Sequence, residues 1–452
     1  PIAVGDINGD GLDDFFVGNS KGFSGELYIQ KSNGSFENSN QALWNIDKGF
    51  EDTDVAFVDI DNDGDLDIYV ASGGYDIPEN DKLLQDRIYL NNGKGAFIKS
   101  DLETPQVGTK RIVFTDWDQD GDQDAFLAGG VIYGKYPLAY PSKLLENQKG
   151  ILKDVSPDKL KGSDNFNMVN DVLFSDFDSD GDLDLIVVGE WMGIQFFEND
   201  QNSFQLKPIA GLNGFSGWCQ TLKEFDYDNN GTLDYLIGNW GNNNKFHPTK
   251  EKPLHIYADY LDSNASFDVV LSKVSKTGDL LPVRGKECSS QQTPFINDKL
   301  KTYKAFAAST LPDIYGADKL KNAHHFEANS FNTVLLKNNG GGVFDIINLP
   351  AQVQFSPTLS FETHDINNDG YMDVFGVGNI YDAEVETIRY DASKGYILLG
   401  DKNGHLSYHP DMSALNDDEA KAVKKIIIKN QVHFIILNKN SALHILRLNK
   451  PL

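Results

Sequence analysis

One pattern of candidate ligands recurs along the chain, Asp-x-Asp/Asn-x-Asp/Asn-Gly-x-x-Asp, with an apolar run before it and another after it. The first three copies are Asp6, Asn8, Asp10, Gly11 and Asp14; Asp59, Asp61, Asp63, Gly64 and Asp67; and Asp116, Asp118, Asp120, Gly121 and Asp124. Three more follow: Asp176, Asp178, Asp180, Gly181 and Asp184; Asp226, Asp228, Asn230, Gly231 and Asp234; and Asp365, Asn367, Asp369, Gly370 and Asp373. Alternate side chains in so tight a loop converge on one point. The glycine permits the sharp turn, and a hard cation such as calcium takes about six to eight oxygens. The expected chemistry is therefore Ca2+ binding, with about five or six ions in the whole chain.

Asp-Gly and Asn-Gly also build ordinary hairpin turns, and for a single loop that reading competes. Repetition decides against it. Several carboxylates crowded within a few ångströms repel one another strongly unless a cation neutralises them, and the six loops together hold 25 aspartates, close to the whole net charge of −27. A seventh copy, Asp262, Asn264 and Asp268, is weaker, because Tyr260 stands at its first ligand position and Ala265 in place of the glycine. Strong metal binding is not expected there. An EF-hand opens with the same ligands but needs flanking helices and a glutamate at position twelve. Here that position holds Val17, Val70, Leu127, Val187, Ile237 and Gly376.

The segments that must carry these loops read as strands, for example Leu66-Asp67-Ile68-Tyr69-Val70 and Leu183 to Val188. The first five loops begin at 6, 59, 116, 176 and 226, a spacing that suits a four-stranded antiparallel unit with its turns. A second hairpin signal lies inside each period, as in Arg87 to Leu90, Asn91 to Gly95 and Ala96 to Lys99, and again at Val334 to Leu336 followed by Asn338 to Gly342. Near the end, Ile426 to Ile428, His433 to Leu437 and Leu443 to Leu448 read as strands that close a ring. The predicted fold is an all-β propeller of four-stranded blades, a single domain over 1–452. Hairpin counting gives eight blades, but the stretch from 226 to 260 is short for four strands, which leaves seven or eight. A helical insertion is predicted over 285–329, with helices at Lys299 to Ala308 and Asp318 to Ala323 and a cap at Thr310 to Asp313.

Composition narrows the partners. An excess of 67 acidic over 40 basic residues argues against nucleic acid and anionic membrane surfaces, and no apolar run is long enough to span a bilayer as a helix. Pro1 opens straight onto the apolar Ile2 to Val4, which reads as the trimmed start of a longer chain. Cys219 and Cys288, the two cysteines, leave one bridge or two buried thiols.

These loops resemble those of the FG-GAP or VCBS repeats, the repeats of the integrin α-subunit propeller. The chain further resembles the C-terminal propeller of bacterial surface proteins of the cartilage-acidic-protein/ASPIC-UnbV type, common in Bacteroidota. That likeness rests on Gln85 to Gly93, Val188 to Met192, Arg284 to Gln292 and Tyr390 to Ser393. It implies a calcium-stabilised extracellular propeller, secreted or held at the outer membrane, with no catalytic residues to carry over. The asparagines Asn8, Asn230 and Asn367 lower ligand charge and should weaken calcium affinity in their loops.

No zincin, nucleophile-elbow or phosphate-loop motif occurs. His324, His325 and Glu327 form the one tight histidine cluster, which reads as a metal or acid-base site or as a solvated loop. Arg284 and Glu287 are candidates for an interaction site or for an internal salt bridge. Trp191, Trp218 and Trp240 suit either sugar stacking or packing between blades. The expectation is a non-enzymatic scaffold that docks a protein partner, as a subunit of an outer-membrane or secreted assembly. The alternative is a glycan-binding module or polysaccharide-degrading enzyme on the same frame.

Overall fold

In the computed structural model, residues 1–39, 41–262, 264–383, 387–412 and 415–447 are described. Leu448, the predicted end of the last strand, lies outside them. The apolar runs on either side of each acidic loop form the first two strands of an antiparallel sheet. Its second strand is buried along its whole length in Asp67–Ser72, Asp124–Gly129, Asp234–Gly238 and Asp373–Val377. A strand covered on both faces is apolar continuously rather than in alternation, and here the covering layers are the neighbouring sheets.

Seven sheets form the ring. Their first strands are Ile2–Gly5, Asp52–Val58, Thr109–Thr115, Met168–Ser175, Thr221–Phe225, Ser360–His364 and Ala420–Ile428. Each touches the first strand of the next sheet, and the seventh touches the first. The fold is thus a seven-bladed β-propeller. Closure needs no shared sheet: Ile2, Phe15 and Val17 of blade one pack on Ile426, Ile428 and Ile435 of blade seven. Gln30 Nε2 also donates to the Ile427 carbonyl at 3.0 Å, and the Ile427 amide donates to Asp13 Oδ2 at 2.7 Å. Salt bridges between inner strands add to the closure. Arg111 spans Asp54 at 3.1 Å and Asp171 at 3.0 Å, and Lys223 meets Glu362 at 3.2 Å.

An eighth sheet explains the overcount from hairpins. Between the second and third strands of blade five, Asp234–Gly238 and Val334–Asn338, the chain leaves the ring and builds a separate four-stranded sheet. Its strands are Leu254–Asp259, Asp268–Val274, Leu280–Pro282 and His324–Ala328. The predicted helical segment lies within this excursion, as five short helices from Lys286–Gln292 to Ala317–Asn322; two others, Gln41–Ile46 and Ser156–Lys159, lie outside it. Thr310 and Asp313 form the expected reciprocal cap. The predicted helix from Lys299 to Ala308 is instead two, Phe295–Lys299 and Tyr303–Ala307. One face of the inserted sheet, with Leu254, Ile256 and Ala328, packs on Met168, Trp191 and Trp218. Its other face, with Tyr257 and Val270, packs on the helices through Ile296, Phe306 and Ile314.

Candidate metal centre

All six clear acidic loops join the first strand of a blade to its second. The fourth and sixth residues of each turn through the left-handed region, as in Asn62 at φ 61° and Gly64 at φ 94°. A methyl group added at Gly64 would meet no neighbouring atom, so the glycine is there for its backbone angle and not for space. In the weak seventh loop Ala265 occupies that position at φ 63°, a conformation that costs a residue with a Cβ.

The first aspartate of each loop is held by backbone amides. Asp59 accepts from Asp63 N through Oδ1 and from Gly64 N through Oδ2, both at 3.0 Å, and Asp116, Asp176 and Asp226 repeat the arrangement. Asp6 and Asp365 do the same in the loops that carry asparagine at the third position.

The ninth residue is buried. Asp14, Asp124, Asp184, Asp234 and Asp373 are fully shielded, and Asp67 nearly so. Desolvation pushes Asp67, Asp124 and Asp184 up to about 7, and Asp14, Asp234 and Asp373 up to about 6.

First, third and ninth carboxylates meet in four loops. Asp59, Asp61 and Asp67; Asp116, Asp118 and Asp124; Asp176, Asp178 and Asp184; and Asp226, Asp228 and Asp234 each bring oxygens within 4.8 Å of one another. The third-position residues show what the arrangement lacks. Asp178 and Asp228 each give one oxygen to a lysine, Lys207 at 3.0 Å and Lys337 at 2.9 Å. The Oδ1 atoms of Asp118, Asp178 and Asp228 are buried with no hydrogen-bond partner. A buried, unpaired carboxylate oxygen facing two other carboxylates is what a hard cation satisfies, so these residues fit calcium.

The fifth-position side chains each bond a backbone amide of their own loop. Asp63, Asp120, Asp180 and Asn230 accept from the backbone amide two residues on, at 2.7–3.1 Å, as do Asp10 and Asp369. In loops one and six the asparagines Asn8 and Asn367 turn their amides to those same fifth-position carboxylates. In the weak loop Asp262 is occupied by both amides of Asn264, and the buried Asp268 accepts from the Leu261 amide at 3.1 Å.

A set of asparagines, of which the sequence marks only Asn91 and Asn338 as turn formers, ties the loops together. Asn147, Asn199 and Asn338 each end the third strand of a blade, and Asn91 directly follows one. Each backbone amide donates to the ninth-position aspartate of its own blade at 2.7–2.8 Å. The side-chain amides then donate to the second-position carbonyl of the preceding blade's loop, at Ile7, Ile60, Trp117 and Phe177. This places the loops side by side on one face of the ring. Gln30 has the same role in blade one, reaching blade seven, whereas Gly400 in blade six supplies only the backbone bond.

The remaining candidates fall outside this face. Trp191 is 3% exposed and gives its indole N–H to the Tyr136 hydroxyl. Trp218 packs edge-on to both Trp191 and Trp240. These rings glue the inserted sheet to the propeller. Glu287 accepts from the Tyr303 hydroxyl within the helical segment, and the Arg284 carbonyl accepts from Ser289. Cys219 and Cys288 are thiols and not a bridge; Cys219 is buried, which pushes it up to about 12, and Cys288 is half-buried. His324 is separated from His325 and Glu327 by strand alternation, and His255 of the adjacent strand takes its place beside them.

No curated protein sequence matches the chain. Among solved structures, a lectin of Agrocybe aegerita, described in recognition of non-reducing terminal N-acetylglucosamine, aligns over 99% of this chain and 94% of its own with 13% identity and a TM-score of 0.45. The V. cholerae biofilm matrix protein Bap1 aligns over 100% and 87%, with 10% identity and a TM-score of 0.37. The Dos1 propeller aligns over 96% and 90%, with 9% identity and a TM-score of 0.40. Residues 6–70 and 176–237 match the FG-GAP-like repeat. Each matched stretch starts at one acidic loop and ends in the strand after the next, so the chain is a β-propeller that carries FG-GAP-like repeats.

Proposed function

We propose that the chain is a non-enzymatic, calcium-stabilised interaction scaffold that works outside the cytoplasm. The observation that carries this reading is the shared position of the acidic loops: in blades two to five each candidate cation would sit where its ninth-position aspartate meets an asparagine that spans two blades, and in blade one where it meets Gln30. Metal there stiffens the ring without standing in the way of a partner on the other face. That opposite face has a cavity of about 380 Å³ lined by Thr53, Tyr75, Lys110, Met168 and Asn170, and Tyr75 is largely exposed at its rim. A protein partner docks there, beside the inserted sheet. A glycan platform is the weaker reading, because Trp191 and Trp218 are consumed by packing.

Calcium supply argues for the compartment. Loops with a neutral asparagine among the ligands belong with extracellular modules, which bind at about 10⁻⁴–10⁻³ M. Placement at the cell surface or in an outer-membrane assembly, as in the ASPIC-UnbV resemblance, accords with that supply. The test is metal counting by native mass spectrometry, with thermal unfolding in calcium and in EGTA, followed by cross-linking and pull-down from the source membrane. Five or six calcium ions, a large loss of stability on chelation and a calcium-dependent protein partner are expected. A protein that holds no calcium and melts unchanged in EGTA would defeat the proposal.

A further inference from the structure

Among the described residues, one group of ligating side chains meets outside the acidic loops, on the sheet inserted into blade five. His255 lies on the strand Leu254–Asp259, and His325 and Glu327 lie on the adjacent edge strand His324–Ala328. His255 pairs across from Glu327, and Tyr257 from His325, so all four side chains share one face. His255 Nδ1 is 3.0 Å from His325 Nε2 and 3.1 Å from Glu327 Oε1, and the last two atoms are 3.7 Å apart. Ligands on a tetrahedral ion with bonds of about 2.0–2.1 Å stand roughly 3.3–3.4 Å from one another. The three observed separations bracket that value.

We propose that His255, His325 and Glu327 bind one zinc-class divalent ion, with a fourth coordination position left to water or to a partner's side chain. The donor set is two imidazole nitrogens and one carboxylate oxygen, which suits zinc and its neighbours and not calcium. The site is therefore chemically separate from the oxygen-only loops. It is also pre-shaped. His325 is stacked on Tyr257 with ring centroids 4.3 Å apart and planes within 6°, and it lies nearly parallel to His255. Both imidazoles are thus held with these nitrogens facing each other at hydrogen-bond distance, beside Glu327 Oε1, before any ion arrives.

Two buried polar atoms beside the cluster support the assignment. His255 Nε2 and Ser272 Oγ both lack a hydrogen-bond partner, and Ser272 pairs across from His255 on the strand behind it. An ion on Nδ1 fixes the proton on Nε2 and makes it a donor, for which Ser272 Oγ, not bonded to it here, is the candidate acceptor on the paired strand. Ligating histidines commonly use their second nitrogen in this way. Access is present on the other side, since the side chains of His325 and Glu327 are 35% and 47% exposed.

The experiment uses the whole chain, stripped of metal and returned to saturating calcium so that the acidic loops are filled. It is titrated with ZnCl2 by calorimetry and with CoCl2 by visible absorption. One equivalent of zinc and a cobalt spectrum of tetrahedral type are expected. His325→Ala and Glu327→Gln should each weaken zinc binding by at least about 100-fold, since even outer-shell partners are worth about 10–100-fold. Both side chains are partly exposed, and an unchanged melting temperature in calcium shows that each variant is folded. Absence of a zinc step in the calcium-loaded protein, or a step that both variants keep unchanged, overturns the assignment. Because the loops are loaded with calcium throughout, failure here leaves the calcium scaffold reading intact, and failure of that reading would show first as a calcium-free starting protein.

Discussion

Asn338 donates its side-chain amide to the Phe177 carbonyl, 2.8 Å away in space and 161 residues away in the chain. The same amide reaches Leu233 O at 3.2 Å, and the Asn338 backbone amide bonds Asp234. One residue therefore joins the third strand of blade five, the acidic loop of blade five and the acidic loop of blade four. Asn338→Ala leaves one buried and one part-buried carbonyl without their donor and should cost about 1–3 kcal/mol. A lowered denaturant midpoint in saturating calcium checks this, and a midpoint equal to that of the parent protein contradicts it.

Asp178→Ala removes the buried oxygen that faces Asp176 and Asp184. The expected result is one calcium fewer in the native mass spectrum and a smaller gap between the melting temperatures in calcium and in EGTA. Asp262→Ala in the weak loop serves as the control and should leave the calcium count alone. A lost ion in the control, or none lost in Asp178→Ala, refutes the loop assignment.

Acid acts in opposite directions on the metal-free and metal-loaded protein. The ninth-position aspartates are held at about 6–7 when folded and return to about 3.9 when unfolded. In that window the native state binds more protons. Their contribution to stability is fully present below about pH 4 and lost as the pH rises through about 7. Buried Asp86, also held at about 7 by desolvation, adds to the same trend. The EGTA-treated protein should thus melt at a higher temperature near pH 5.5 than near pH 7.5. Calcium competes with those protons, so calcium affinity should fall over the same change. Melting curves and calorimetry at the two pH values test both halves.

Arg111 spans Asp54 and Asp171, each nearly buried on the inner strands of blades two and four. Their attraction holds the guanidinium well above its usual range. Arg111→Ala strands two carboxylates and should destabilise by roughly 3 kcal/mol, the low end for a buried pair because the arginine is partly wetted. A triple variant that also replaces Asp54 and Asp171 with asparagine should recover part of the loss. Equal stability of single and triple variants would show that the bridges contribute packing and not charge.

Much of the candidate site was legible because its information is local. Within nine residues, the alternation of Asp59, Asp61 and Asp67 and the glycine at Gly64 specify both a turn and the meeting of three carboxylates. Of the asparagines that span two blades, Asn91 and Asn338 were visible only as turn formers, and Asn147 and Asn199 not at all. Asn91 before Asn92-Gly93 has an obvious role in its own hairpin, and nothing nearby in sequence shows that its amide is given to Ile7 in another blade. The tryptophans were ambiguous for a similar reason: Trp191 and Trp218 lie beside hairpins, and their burial comes from a sheet inserted far downstream.

Residue order alone was enough for the loop turns, the all-β repeat and the helices after residue 285, because each depends on spacing within a few turns of chain; that the chain leaves the ring already after Gly238 was not legible. The blade count needed the folded molecule. The hairpin around Asp262 looks like a blade in sequence, but its inner strand Leu254–Asp259 pairs with His324–Ala328 and not with the ring, and membership of the ring is a matter of long-range contact. The meeting of His255 with His325, 70 residues apart, belongs to the same class. Such a pair has no local spacing to betray it, and only the register of two strands brought together by the fold makes it a site.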